Sequence, residues 1–391
     1  MNSIQLIPKK TSIISQKHPW IFSGAISPRQ SLPEDGSWVE VMDHKNNYLC
    51  TGHYQADGSI SVRILSYNRD SRSPLFYRQK LEEALKLRTK FISSETTNAF
   101  RWIHGEGDGL PGLIIDKYDT HVVVQCHSLG MYTDIELISE AIQDLLGNGV
   151  ETIYLKSYET LHGKIDRSNA DRFLIGNTAT AIILENGIKL EVNWVEGQKT
   201  GTFLDQRNNR QLLSQYGKEA LIGDLFCNNG GFGLHGLSGG AKHVMFIDAS
   251  SKAIDQVKFN IQHNHFEEKY VDYLTSDCLK FLQETEYMFD ILVVDPPAFA
   301  KSLQKRHNAV QGYKRLNTMA MKRIKSGGLL FTFSCSQVID DTLFYNTIIA
   351  ASLESGRQVK VLHKLTQGPD HPVNIFHREG SYLKGLVIQL I

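Results

Sequence analysis

Gly223-Asp224-Leu225-Phe226-Cys227-Asn228-Asn229-Gly230-Gly231-Phe232-Gly233 reads as a strand ending in a carboxylate, a glycine-rich turn and the start of a helix. Glycines let backbone approach a ligand closely, and a helix N-terminus offers unpaired N–H groups. The spacing is not GxGxxG, so the dinucleotide fingerprint fails. Asp248 ends the next strand, 24 residues after Asp224, where a carboxylate can hold a ribose diol. Its bland role would be to cap the helix that starts near 251.

Around this stretch, residues 191–391 alternate β-rich and helical runs. Strands are expected at 220–226, 243–248, 270–274, 290–295, 328–334, 358–365 and 383–390, and helices at 232–238, 251–265, 278–285, 310–325 and 341–355. That alternation predicts an α/β Rossmann-like domain with a parallel, doubly wound sheet. Residues 1–70 carry short alternating strands punctuated by Pro33-Glu34-Asp35-Gly36 and Ala56-Asp57-Gly58, which suits a small β-barrel. Residues 71–190 read as a central α+β module. A helix is expected from Pro74 with Ser73 as its cap, then a hairpin over 113–125, a helix over 131–146 and strands near 152–156, 180–184 and 188–194.

Three more residues fall at the carboxyl edge of the expected sheet, where ligands of open α/β sheets bind. Asp277 follows the third strand and also suits a helix cap. Asp295-Pro296-Pro297 follows the fourth, and two prolines remove two N–H donors, leaving acceptors toward the pocket. An apolar strand ending in Asp-Pro-Pro, after a ribose-type acid, fits methyl transfer from S-adenosylmethionine to a nucleobase better than hydride transfer. Cys335 follows the fifth strand. Buried cysteine is usually a small core residue, but a thiolate at this edge can attack C6 of a pyrimidine and make C5 nucleophilic.

Composition narrows the class. The chain has 391 residues, 41% hydrophobic and 21% charged, with 42 basic and 42 acidic side chains. No run approaches the roughly 18 apolar residues of a membrane helix, and the first ten residues carry no apolar run behind their lysines, so neither a membrane span nor a secretory signal is expected. Five scattered cysteines without a CxxC pair exclude a disulfide framework or zinc ribbon and point to a reducing cytoplasm, with no metal. Net charge does not decide for or against nucleic acid. Pro296 to Ile339, however, holds no acid while carrying Lys301, Lys305, Arg306, Lys314, Arg315, Lys322, Arg323 and Lys325, either a solvated helix face or a phosphate track.

Further blocks carry a resemblance over nearly the whole chain: His18-Pro19-Trp20-Ile21-Phe22-Ser23-Gly24-Ala25, Gly107 to Asp116, Lys199-Thr200-Gly201-Thr202-Phe203-Leu204-Asp205-Gln206-Arg207, the glycine turn, Asp295-Pro296-Pro297, Phe333-Ser334-Cys335-Ser336, Asp370-His371-Pro372-Val373 and Glu379 to Gly385. With these the chain resembles the bacterial RlmI family of 23S rRNA cytosine-C5 methyltransferases and their archaeal relatives. The resemblance implies an N-terminal PUA-like RNA-binding barrel, a central α+β domain and a C-terminal Rossmann-like methyltransferase domain using S-adenosyl-L-methionine on RNA, as 23S rRNA or a large-subunit assembly intermediate. It implies cofactor contacts from Phe203, Asp205, Gln206, Arg207, Asp224, Phe226, Asn228, Gly230, Asp248, Ala249, Ser276, Asp277, Asp295 and Pro296. Within that set Asp248 should take the ribose hydroxyls, Asp277 the adenine, and Asp295 the reaction site, with Cys335 as nucleophile. Relatives acting on guanine lack this cysteine. Two departures stand out: the turn reads Cys-Asn-Asn-Gly-Gly where relatives often have Ser-Tyr-Thr-Gly-Gly, and no cysteine follows Asp295-Pro296-Pro297. Uracil C5, an exocyclic amine, and a non-catalytic RNA-binding assembly factor stay open as alternatives, as does a homodimer.

Overall fold

The structure, a computed structural model, describes residues 2–28, 30–161, 164–300 and 302–391. Two compact units are present, one of Met1–Ile183, Val192–Leu204 and Pro369–Gly380, the other of Leu184–Glu191, Asp205–Gly368 and Ser381–Ile391. The texture boundary near 70 lies inside the first unit, and residues 369–380, far along the chain, also belong to it.

In the first unit, strands Asn2–Gln5, Trp38–Met42, Tyr48–Tyr54, Ile60–Ser66 and Trp20–Phe22 pair in that order. A bridge between Leu6 and Ile26 links the two ends of this order, so the sheet closes on itself. Ile4, Ile21, Val39, Val41, Val62 and Ile64 fill its interior. A second sheet orders Asp171–Ile175, Thr152–Lys156, His121–Cys126, Leu113–Tyr118 and Ala99–His104. Its first and last strands escape the sequence pattern: bulges at Phe173/Ile175 and at Arg101/Ile103 break the two-residue alternation. The strands expected near 180–184 and 188–194 do not join this sheet; Thr180–Glu185 and Ile188–Asn193 form a two-stranded sheet of their own. The helix Pro74–Arg88 begins as expected, with Ser73 accepting the Phe76 N–H at 3.3 Å.

The second unit holds the sheet that positions the site. We number its strands β1 (Leu221–Leu225), β2 (His243–Asp248), β3 (Val271–Thr275), β4 (Phe289–Val294), β5 (Ile324–Ser334), β6 (Val359–Leu365) and β7 (Lys384–Leu390), and its helices α1 (Arg207–Ser214), α2 (Gly231–Ser238), α3 (Ser251–His263), α4 (Cys278–Glu284), α5 (Arg306–Lys322) and α6 (Asp341–Ser355). The strand order is β3-β2-β1-β4-β5-β7-β6. Strands β1 to β5 pair in parallel through crossover helices. The expectation of an all-parallel sheet is corrected at the far edge, where β7 runs antiparallel to both β5 and β6. No α-helix lies between β6 and β7, and an antiparallel return needs no crossover helix.

Leu225, Ile247, Leu292, Val294 and Leu330 of the sheet and Phe281, Leu316, Phe344 and Ile348 of the helices share one buried cluster. Close packing of α2 depends on Gly233: a Cβ there would lie 2.2 Å from the Phe246 ring, so any side chain would push α2 off β2.

Candidate active site

The parallel register sets one row of side chains across the carboxyl ends of five neighbouring strands. Asp277 follows β3, Asp248 ends β2, Asp224 lies one residue before the end of β1, Asp295 follows β4 and Cys335 follows β5. From β2 to β5 is three strand spacings, about 14 Å at the usual separation. That length suits an extended ligand with a reaction point at one end.

The turn after β1 is wound tightly. Phe226 and Asn228 take positive φ of 59° and 49° without being glycine, and Gly230 follows at 81°. Left-handed non-glycine residues are uncommon and collect at ligand sites. Asn228 folds its Oδ1 back to accept the Asn229 N–H at 2.8 Å, and Asn260 Nδ2 donates to the Asn229 carbonyl at 2.9 Å. Asp224 lies buried beneath, accepting the Gly233 N–H at 2.8 Å. Burial pushes its carboxyl up to about 8, and the charges of Asp295 and Asp248 add to the rise.

Asp248 accepts the Asn228 N–H at 3.1 Å on Oδ2 and the Ser250 N–H at 2.9 Å on Oδ1. It does not cap α3; that role belongs to Ser250, whose hydroxyl accepts the Ala253 N–H at 3.3 Å. Each carboxylate oxygen keeps a lone pair beyond these bonds. Asp277 does cap α4, its Oδ1 accepting the Lys280 N–H at 2.9 Å while the side chain stays exposed. The Ser276 N–H donates to the Asp248 carbonyl at 2.9 Å, tying the ends of β2 and β3 together, and Ala249 is exposed beside them.

At the centre, Gln206 Nε2 donates to Asp295 Oδ2 at 3.0 Å. Asn209 Nδ2 donates to Gln206 Oε1 at 2.7 Å and so fixes which end of the amide faces Asp295. Asp205 accepts the Tyr382 hydroxyl at 2.7 Å on Oδ2, and its buried Oδ1 has no hydrogen-bond partner among the described residues. Burial pushes Asp295 up to about 7, Asp205 raises it further, and the Gln206 amide and Arg210 pull it back. Pro296 is buried beside it, and Phe203 lies in the first unit, two residues before Asp205 opens the second.

Sequence reasoning missed several residues here. Helix α1 looks too polar for a core helix, yet Asn209 and Arg210, which the sequence did not single out, are buried along with Arg207, which it did. Arg210 donates two hydrogen bonds to Glu185, Nε to Oε1 and Nη2 to Oε2, both at 2.6 Å. Glu185 comes from a distant hairpin strand, Thr180–Glu185, so nothing local signals the pair. Although burial works against ionisation, Arg210 holds Glu185 below the usual carboxylate range. Tyr313 of α5 is fully buried, with its phenol pushed up to about 12, mainly by burial and further by the charges of Cys335 and Asp295. Cys335 itself is half-buried, whereas Cys50, Cys126, Cys227 and Cys278 are buried.

The basic run is divided by the fold. Lys301 lies outside the described residues. Lys314 pairs with Glu354 at 2.8 Å, Lys325 with Asp290 at 2.8 Å, and Arg323 Nε donates to the Leu282 carbonyl at 3.0 Å. Among the described residues, the exposed Lys305, Arg306, Arg315 and Lys322 have no ion-pair partner. Arg315 sits nine residues after Arg306 on α5, two and a half helical turns away, so the two face opposite sides. No single stripe survives; Lys305 and Arg306 are the pair nearest in sequence to Asp295-Pro296. No group of three or more His, Cys, Asp or Glu side chains that could hold a metal is present among the described residues, and none of their helices is long and apolar enough to cross a membrane.

The strand order and the row of acids at its carboxyl edge define the fold of the S-adenosylmethionine-dependent methyltransferases. Solved structures share it across the full chain: a putative methyltransferase, SMU.776, complexed with SAH, superposes with a TM-score of 0.85 at 20% identity, each chain covered completely. A putative SAM-dependent methyltransferase from Streptococcus mutans does so with a TM-score of 0.83 at 20% identity, again with both chains covered completely. Two family profiles match, one described as PUA-like domain over residues 4–67 and one as Conserved hypothetical protein 95 over residues 208–327. The ribosomal RNA large subunit methyltransferase I of Alteromonas mediterranea is 36% identical over 98% of each chain, and that of Vibrio parahaemolyticus is 34% identical over 100% of this chain and 99% of its own. The chain belongs to the ribosomal RNA large subunit methyltransferase I family.

Proposed function

We propose that this family member forms 5-methylcytidine in 23S rRNA, with Cys335 as the attacking thiolate and Asp295 as its partner at the base. S-adenosylmethionine, when bound, supplies a methyl group on a positively charged sulfur. The chain offers matching groups: Asp248 with spare acceptor capacity for a diol, Asp277 at the adjacent strand end, and the unpartnered Asp205 Oδ1 with the left-handed turn for a charged amino-acid moiety. The Conserved hypothetical protein 95 match starts at residue 208, so Asp205, Gln206 and Arg207 lie just outside it, while the remaining second-unit candidates through Pro296 lie within it.

The observation that carries the cytosine reading is a half-buried thiol one residue past β5, on the strand next to the one that presents Asp295; β4 and β5 pair Val294 with Thr332. Carbon C5 of cytosine is too weak a nucleophile to take a methyl group unaided. Attack of the Cys335 sulfur on C6 forms a C–S bond and moves the ring electrons toward C5 and N3. A carboxyl that ionises near 7 can donate to N3 in its protonated form as negative charge gathers there. After methyl transfer the N3 proton returns to Asp295, a water takes the C5 proton, and the C5–C6 double bond re-forms as the C–S bond breaks with its electron pair leaving on the Cys335 sulfur. Methylation of an exocyclic amine would need no thiol, because a lone pair attacks directly. The closed five-stranded sheet matching the PUA-like profile is the proposed RNA-recruiting module, and a cytoplasmic enzyme fits this substrate.

The test uses RNA carrying 5-fluorocytidine at the target. Fluorine cannot leave as a proton does, so wild type should accumulate a covalent protein–RNA complex and Cys335→Ala none. An alanine variant that methylates rRNA at the wild-type rate would move the assignment to a nitrogen. A wild-type chain that binds rRNA and transfers no methyl group would make it an assembly factor.

A further inference from the structure

We propose that Lys384 is the positioning cation for Cys335, holding its sulfur in the anionic, nucleophilic form; this rests on the reading of Cys335 as nucleophile. Lys384 opens β7, and the antiparallel register sets it directly opposite Ser334, the last residue of β5. Its Nζ reaches past that pair and donates to the Ser336 carbonyl at 2.7 Å. The side chain therefore spans the segment 334–336 with Cys335 at its middle. A second bond, to the Tyr382 carbonyl at 2.5 Å, anchors the ammonium from the segment just before β7.

Among the described residues, this ammonium makes no close ion pair. Lys384 is buried, and both of its described partners are neutral carbonyls. A buried charge without an opposite charge nearby is costly. Burial accordingly lowers the Lys384 ammonium from its usual range, with Asp341, Cys335 and Asp340 acting the other way. Asp340 and Asp341 stand at the N-terminus of α6, where Asp340 Oδ1 is occupied in capping, accepting the Leu343 N–H at 2.8 Å. Lys364 of β6 and Tyr345 of α6 line the same cavity as Lys384 and Asp341. Of the groups facing Lys384, Cys335 is the one whose ionised form the reaction consumes. A thiolate beside it would add a negative charge to those of Asp341 and Asp340, and thiolate and ammonium would stabilise each other.

Alkylation of Cys335 by iodoacetamide, followed across pH by mass spectrometry of its peptide, reads this directly in the full chain. The background is low, because burial pushes Cys50, Cys126 and Cys278 up to about 12 and raises Cys227 as well. The wild-type midpoint should fall below the value of about 8.5 for free cysteine. Lys384→Met should raise it by about one pH unit or more, and Lys384→Arg should keep it low. A wild-type midpoint at or above 8.5 overturns the proposal whether or not the methionine variant folds, and so does an unmoved midpoint in a folded Lys384→Met. The two readings separate cleanly. If Cys335→Ala still methylates, the nucleophile assignment fails even where the midpoint shifts; if Cys335→Ala is inactive but the midpoint does not move, only the role of Lys384 fails.

Discussion

Gln206 and Asp295, 89 residues apart in sequence, are joined by an amide-to-carboxylate hydrogen bond of 3.0 Å at the centre of the sheet's carboxyl edge. Asn209 orients the amide from one helical turn further along. Gln206→Leu removes the donor and leaves a carboxyl pushed up by burial with less to stabilise its charge. Asp295 becomes charged as it donates its proton to N3, and a hydrogen bond to a charged group is worth about 1.5–3 kcal/mol, so the methylation rate at neutral pH should fall by about tenfold or more. Asn209→Ala, acting through Gln206, should give a smaller loss. Single-turnover methyl transfer to rRNA measures both, and an unchanged rate in Gln206→Leu would remove this bond from the mechanism.

Asp248 is the next test. Because Ser250 caps α3, Asp248→Ala spares the helix cap. Loss of its hydrogen bonds to a ligand should weaken S-adenosylmethionine binding by roughly 1.5–3 kcal/mol, the scale for bonds to a charged group. Titration calorimetry with the cofactor checks this. Unchanged affinity would leave Asp248 with only its two backbone bonds to the turn and to Ser250.

Two acids whose pKa values are raised in the fold, Asp224 and Asp295, make stability depend on pH in a defined direction. Asp224 and Asp295 hold their protons up to about 8 and about 7 in the folded chain, well above the 3.8 expected of an unperturbed Asp. Between those limits the folded state binds more protons than the unfolded one. The contribution is therefore fully present below about 4 and is lost as pH rises through 7 and 8, by up to about 1.4 kcal/mol per pH unit for each proton. Asp224→Asn cannot titrate, so the melting temperature of the ligand-free variant should fall less between pH 5 and 8 than that of wild type. Parallel curves from calorimetry would show that Asp224 is already ionised in the folded state.

Lys305 and Arg306 are exposed and, among the described residues, carry no ion pair, and they follow Asp295-Pro296 in sequence by ten residues or so. Replacing both with alanine should weaken rRNA binding and reduce the log–log salt slope by roughly 0.7 per lost phosphate contact on single strands. Cofactor affinity should not change. The same change at Arg315, half a helix turn round from Arg306, should affect the slope separately. Filter binding over a salt series distinguishes the two faces, and an unaltered slope in the double variant would make this segment an ordinary solvated one.

The β–α alternation after residue 220 and the acids that end its strands are legible in the linear chain, because strand periodicity, capping residues and glycine turns are local properties. Asp224, Asp248, Asp277, Asp295 and Cys335 each follow or end an apolar run, so their shared edge follows from the order of residues alone. What the linear chain does not reveal depends on contacts between distant segments. The reversed direction of β7 is set by pairing with β5 and β6, and no residue within β7 encodes it. Helix α1 hides its amphipathic pattern because the side chains it buries are polar and are satisfied by Glu185, Gln206 and the backbone. The continuous basic run splits into paired and unpaired members only once Glu354 and Asp290 come alongside. Lys384 meets the Cys335 segment through strand register, which places residues 48 apart within one hydrogen bond. Local chemistry thus marked the strand ends, and tertiary packing, by burying charges and choosing their partners, decided which side chains come together.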